Sequence, residues 1–247
     1  MVSKSDNSLK AHWFAAGLAS ALARFIPLPF AEGIVDERAK RYAIARTLSS
    51  HGRTFEEGKV SILYGGVSSI SNWLVKKAFE IPLKLLLFPL KKLRRVATAV
   101  TGVPKDFTHT FLLARAVDKS LEAGLLKNSD TEEFLEETAK QIRECFDASY
   151  SQLDDIIISS TGKVIKSELA DLKPYMSEAM LKILGKNLSK KKFQKEAVAM
   201  SKACKESIGS DDPKEGLDGI SVQALMSQFD TYFNRKMKEA SDVYKVV

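Results

Sequence analysis

The chain has 247 residues, 45% of them hydrophobic and 28% charged, with a net charge of +7. That suffices for one large globular domain or two small ones, and seven prolines without a Gly/Pro-rich tract leave little room for long disordered linkers. Cys145 and Cys204 lie far apart with no CxxC spacing, which argues against a disulfide framework and a zinc site and for a reducing compartment.

The N-terminus imitates a signal peptide. Lys4 and Lys10 precede an apolar run, Trp13 to Ala23, that ends in Ala21-Leu22-Ala23, an A-x-A pattern. Asp6 in the basic region, His12 at the head of the run and its dilution by alanine and glycine speak against cleavage. The run reads as a helix in membrane or deep core. Arg24 and then Ile26-Pro27-Leu28-Pro29-Phe30 stop it short of the ~18 uninterrupted apolar residues of a spanning helix. A charged amphipathic helix follows from Glu32 to Ser50, with Ile34, Val35, Ala39, Tyr42, Ala43 and Leu48 on its apolar face, and ends at His51-Gly52. The pair predicts a helical hairpin. Pro27, Pro29 and Phe30 form its structural corner, because each proline fixes φ and removes a backbone donor.

Val60-Ser61-Ile62-Leu63-Tyr64 reads as helix stopping at Gly65-Gly66, and another helix runs from Ser68 through Trp73 and Phe79 to Pro82. Residues 80 to 100 form a helix disturbed at Pro82 and Pro89. Pro104-Lys105-Asp106 opens the next, capped by Asp106 or Thr108, with Phe111, Leu112, Ala116, Leu121 and Leu125 facing inward. Asp130 is the expected N-cap of a following helix, with Glu133 completing a capping box. That helix carries Phe134, Leu135, Ala139, Ile142 and Phe146 and extends to Ile158. Shorter helices are expected at 164 to 172, 176 to 184 and 189 to 207. A loop at 209 to 216 then leads to a last helix, Ser221 to Tyr244, with Val222, Leu225, Met226, Phe229, Phe233 and Met237 at helical spacing. The predicted fold is all-α, a multi-helix bundle with no substantial sheet. Residues 1–208 make the helical domain, and 209–247 add a loop and a C-terminal helix packing on it.

No reaction is legible. His12, His51 and His109 have no metal-ligand spacing. Ser159-Ser160-Thr161-Gly162-Lys163 looks like the end of a phosphate loop, but Ile157 stands where the first glycine belongs and Val164 where a magnesium-binding hydroxyl belongs. No catalytic residue, metal or cofactor is assigned.

The pattern with the clearest physical meaning lies between Ile81 and Val100. Leu83, Leu86, Leu87 and Leu90 continue into Leu93 and Ala97 at helical spacing, while Lys84, Lys91, Lys92, Arg94 and Arg95 supply a basic rim. Such a stripe enters the acyl boundary of an anionic bilayer, and each basic residue near the surface adds about 1 kcal/mol. The bland alternative is a core helix with solvated charges. Residues 130 to 155 are acidic instead, from Asp130 to Asp155, an asymmetry that marks either an interaction surface or solvated faces of one bundle. Lys190-Lys191-Lys192 beside Phe193 is a second basic patch. Nucleic-acid binding fits less well, because aromatics do not interleave with the lysines of 84 to 95.

Residues Ala21 to Gly52 resemble a hairpin found in EcsC-like bacterial proteins and in the helical domain that follows some small GTPase domains. Ile26, Pro27, Pro29, Phe30, Glu32, Tyr42, His51 and Gly52 carry the resemblance. It implies a bacterial, membrane-associated protein. Fused GTPase domains carry a phosphate loop and this chain has none, so nucleotide hydrolysis would belong to a GTPase partner. The expectation is a non-enzymatic helical interaction protein, cytoplasmic and peripheral to the inner membrane, whose partner is an anionic membrane surface or a membrane protein. The alternatives are an enzyme whose site assembles from distant polar residues, or a basic nucleic-acid-associated protein.

Overall fold

A computed structural model describes residues 4–24, 31–65, 102–153, 157, 183 and 222–244. They form α1 (Lys4–Ala23), α2 (Ala31–Ser50), a 3-10 helix (Glu57–Tyr64), α3 (Gly102–Glu122), α4 (Glu132–Tyr150), a 3-10 turn (Ser151–Leu153) and α5 (Val222–Tyr244). The fold is all-α, and no strand occurs among the described residues.

The apolar run of the first helix is deep core. Every residue from Trp13 to Ala23 is buried, as a helix hydrophobic all round demands. Its small residues let neighbours approach. A Cβ added at Gly17 would lie 2.7 Å from the Phe107 backbone oxygen of α3. No helix among the described residues is long and apolar enough to cross a membrane.

Side-chain pairs fix the directions. Trp13 Nε1 donates to Thr47 Oγ1 at 2.8 Å, and Ser20 bonds Asp36, so α1 runs antiparallel to α2. The Trp13 ring meets Phe111 edge-on at 6.0 Å, and Arg24 Nε donates to Asp106 Oδ2 at 2.8 Å, so α1 also runs antiparallel to α3. His109 lies against Phe146, and the Tyr150 hydroxyl donates to the Lys105 carbonyl at 2.7 Å, which sets α4 antiparallel to α3. On α5, Leu225, Met226, Phe229 and Phe233 are buried, with Phe229 5.9 Å from the Phe146 ring.

The helix ends follow local chemistry. Gly52 (φ 65) and Gly124 (φ 81) end α2 and α3 in the left-handed region, and the amides of Arg53 and Leu125 reach back to the Leu48 and Ser120 carbonyls at 3.0 Å each. The segment that stops at Gly65 is a 3-10 helix kinked at Val60.

Several expected details change. Thr131, not Asp130, caps α4; its hydroxyl accepts from the Phe134 amide at 3.3 Å. Asp130 is used one turn earlier, accepting from the Lys127 amide at 2.7 Å. α3 begins at Gly102, with Pro104 in the first turn, where its missing N–H is harmless. Asp106 and Thr108 therefore do not cap it: Asp106 pairs with Arg24, and the Thr108 hydroxyl donates to the Pro104 carbonyl. α4 stops at Tyr150 rather than Ile158. Phe134 is 56% exposed, because it falls at the edge of the Leu135–Ala139–Ile142–Phe146 stripe in the first turn.

Candidate functional site

The expected membrane-binding residues, Leu83, Leu86, Leu87, Leu90, Lys84, Lys91, Lys92, Arg94 and Arg95, lie outside the described residues. So do the corner residues Pro27, Pro29 and Phe30, the phosphate-loop look-alike at 159 to 163, and the basic patch at 190 to 192. The described helices nonetheless gather polar side chains into three clusters.

The first ties α2, α3 and α5. His51 Nε2 is 2.8 Å from Asp118 Oδ1. Asp118 Oδ2 accepts from Arg115 Nη1 at 2.8 Å. Arg115 then donates through Nε and Nη2 to the two oxygens of Asp230, at 3.1 and 2.7 Å. Burial works against the Arg115 charge, but the hydrogen bond and charge of Asp230, helped by Asp118 and Glu122, hold its pKa above the ordinary value. A His–Asp pair is half of a proton relay. Here Asp118 accepts from His51 and Arg115 on separate oxygens and Arg115 reaches on to Asp230, so the chain of bonds clasps the end of α2, α3 and α5 together.

The second cluster surrounds His109. Its ring stands edge-on to Phe146 at 5.0 Å and to Tyr150 at 5.2 Å. Arg143 Nη2 approaches its Nε2 at 3.5 Å, while its buried Nδ1 has no hydrogen-bond partner among the described residues. Burial, and then the charges of Lys40 and Arg143, lower its pKa to about 3. The imidazole is therefore neutral at physiological pH, too weak a base to take a proton there. Arg143 also donates to the Leu63 carbonyl at 3.2 Å, which fastens the 3-10 helix to α4.

The third cluster joins Arg24 to Asp106 and to Glu32, the latter at 3.7 Å. Burial raises the Asp106 pKa, outweighing the pull of Arg24. Of the remaining reactive types, His12 Nδ1 pairs with the Tyr42 hydroxyl at 2.9 Å, and burial pushes the Cys145 thiol up, away from the thiolate. No group of His, Cys, Asp and Glu suited to a metal ion occurs among the described residues.

Sequence reading missed Arg115, Asp118 and Asp230 as a unit. The Arg115–Asp118 spacing is a readable helical pair. Asp230 joins it only through the fold. Compared with protein-family models, curated proteins and solved structures, the chain matches none.

Proposed function

We propose that this chain is a non-enzymatic helical interaction protein that works at an anionic membrane surface in a bacterial cell, on the membrane's cytoplasmic side. The observation that carries the reading is the pattern at 81 to 97: Leu83, Leu86, Leu87 and Leu90 at helical spacing, with Lys84, Lys91, Lys92, Arg94 and Arg95 beside them. The fold supports a scaffold rather than a catalyst. His51 is engaged in the clasp, His12 is bonded to Tyr42, and His109 is neutral between two aromatic rings. A membrane protein or a GTPase docked beside the bilayer is compatible with the same role.

Sedimentation with vesicles tests it. The full chain is expected to pellet with anionic vesicles, to stay in solution with neutral ones, and to be released by salt. Changing Lys91, Lys92, Arg94 and Arg95 together to glutamate is expected to abolish pelleting while circular dichroism stays that of the parent. Equal pelleting of parent and variant sinks the proposal.

A further inference from the structure

The histidines meet opposite chemistry. His51 faces the Asp118 carboxylate at 2.8 Å, and His12 faces the Tyr42 hydroxyl at 2.9 Å. His109 faces a cation: Nη2 of Arg143 stands 3.5 Å from its Nε2, and its buried Nδ1 has no hydrogen-bond partner among the described residues. The ring belongs to α3 but is wedged against α4, edge-on to Phe146 and Tyr150.

We propose that His109 makes the seam between α3 and α4 an acid-sensitive gate: acid opens residues 143–150 of α4 away from α3 while α1, α2 and α3 stay folded. The surface uncovered is aromatic, since Phe146 is fully buried when the seam is closed and Tyr150 partly so.

The seam offers a protonated imidazole no counter-charge. From α4 the ring meets Arg143, whose own partner is Asp147 at 2.9 Å, and the Tyr150 phenol, which is bonded to the Lys105 carbonyl. From α2 the charge that acts on it is Lys40, which pairs with Asp36 at 2.6 Å. On its own helix, Asp106 is held by Arg24. Burial and then the two cations lower the pKa of the closed ring from 6.5 to about 3. Once the seam opens, water reaches the ring and the proton is accepted. Opening thus takes up one proton between those two values, and its equilibrium constant rises by up to about tenfold per pH unit of acidification.

Packing makes the opening local. At this level α4 is an outer layer: Glu144, Asp147 and Ala148 are exposed, and the helix gives way after Tyr150 to a 3-10 turn. In α1, by contrast, every residue from Trp13 to Ala23 is buried. A helix with a solvated face opens at a lower free energy than an enclosed one. The hydrogen bonds that must part run from Tyr150 to the Lys105 carbonyl and from Arg143 to the Leu63 carbonyl, and water can replace both once the seam is open.

Hydrogen exchange of the full chain, read by mass spectrometry, tests the gate. Each rate is divided by the intrinsic rate of unstructured chain at the same pH, which leaves the protection factor. Between pH 6.5 and 4.5 the protection of amides 143–150 is expected to fall roughly 50-fold, the change that one such proton brings. Protection of amides 13–23 in α1 is expected to stay within about twofold. His109→Phe and His109→Gln both remove the titrating ring, one keeping its bulk and the other its polarity. In either variant the protection of 143–150 is expected to change by less than about fivefold over the same range. The gate is overturned if both variants lose protection there as the parent does. It is overturned equally if α1 of the parent loses protection in step with α4, because acid is then unfolding the whole body rather than opening a seam.

Discussion

Arg115 and Asp230, on α3 and α5, form a two-pronged ion pair, with Nε and Nη2 of the guanidinium reaching separate carboxylate oxygens at 3.1 and 2.7 Å. The pair is shielded: the Arg115 side chain is 14% exposed and that of Asp230 19%. It aligns the last helix so that Phe229 and Phe233 enter the core beside Phe146. Apolar burial supplies the attraction, and the forked geometry selects one register.

Asp230→Asn is therefore expected to cost about 1–3 kcal/mol, because it removes the charge on the forked side of a shielded guanidinium and leaves Asp118 as its counter-charge. Arg235→Gln, on the exposed side of the same helix, is expected to change little, since its pairing with Glu239 at 3.9 Å and its bond to Gln152 at 3.0 Å are both open to solvent. Urea midpoints of the two variants decide it. Equal midpoints mean that the clasp does not hold α5.

Two glycines in neighbouring helices are expected to respond to alanine with opposite signs. At Gly17 a methyl would press 2.7 Å from the Phe107 backbone oxygen, so α1 and α3 must part, at about 1–3 kcal/mol. At Gly33 a methyl meets nothing within 4 Å, and alanine is expected to stabilise α2 by about 0.5–1 kcal/mol. Thermal melts of Gly17→Ala and Gly33→Ala check this. A Gly17→Ala protein as stable as the parent would show that α1 and α3 pack less tightly than that contact requires.

His109 makes stability depend on acid. Its folded pKa, about 3, lies below the ordinary 6.5, so between those values the unfolded chain binds a proton that the folded one refuses. The contribution is fully present above pH 6.5 and is lost as pH falls towards 3. Each pH unit costs about 1.4 kcal/mol while that proton is being taken up. Asp106 acts in the opposite sense, because its raised pKa favours the folded state as pH falls through the carboxylate range. His109→Phe keeps a ring between Phe146 and Tyr150 and removes the buried ring nitrogens. Its stability is expected to equal or exceed the parent's near neutrality and to fall less between pH 6.5 and 4.5. Denaturant titrations at those two pH values read the difference, and parallel pH curves for both proteins would assign the acid sensitivity elsewhere.

Much of this architecture was legible in the residues themselves. The apolar run to Ala23, the amphipathic helix to Ser50 and the Phe229–Phe233 stripe each carry their own period, and glycines mark the ends at Gly52 and Gly65. Local competition hid other features. Asp130 and Thr131 are both good caps, and only the turn geometry assigns one to the Lys127 amide and the other to α4. Phe134 sits one step off its helix's buried stripe, an error of angle that composition cannot reveal. The clasp was illegible, because Arg115 and Asp230 are joined by packing alone. The leucine-and-lysine stretch is the reverse case: its pattern is plain in the sequence, and its residues lie outside the described ones.

The bond between Trp13 and Thr47 gives a prediction with a built-in control. The indole N–H donates to Thr47 Oγ1 at 2.8 Å, and the same hydroxyl donates onward to the Ala43 carbonyl at 2.8 Å. Both residues are buried, so no water waits to replace a lost partner. Thr47→Val keeps the side chain's shape but strands the indole donor, and is expected to cost about 1–3 kcal/mol. Trp13→Phe removes the donor and leaves a cavity, while Thr47 keeps its bond to Ala43; large-to-small changes in a core cost about 1–5 kcal/mol. In the double variant no donor is stranded. Its loss is therefore expected to fall short of the sum of the single losses by about 1 kcal/mol, within the range for residues that share a bond. Equilibrium unfolding of the parent and the three variants closes the cycle, followed by circular dichroism because Trp13→Phe alters the fluorescence. Strict additivity would mean that the α1–α2 contact rests on packing alone and that the hydrogen bond contributes nothing to it.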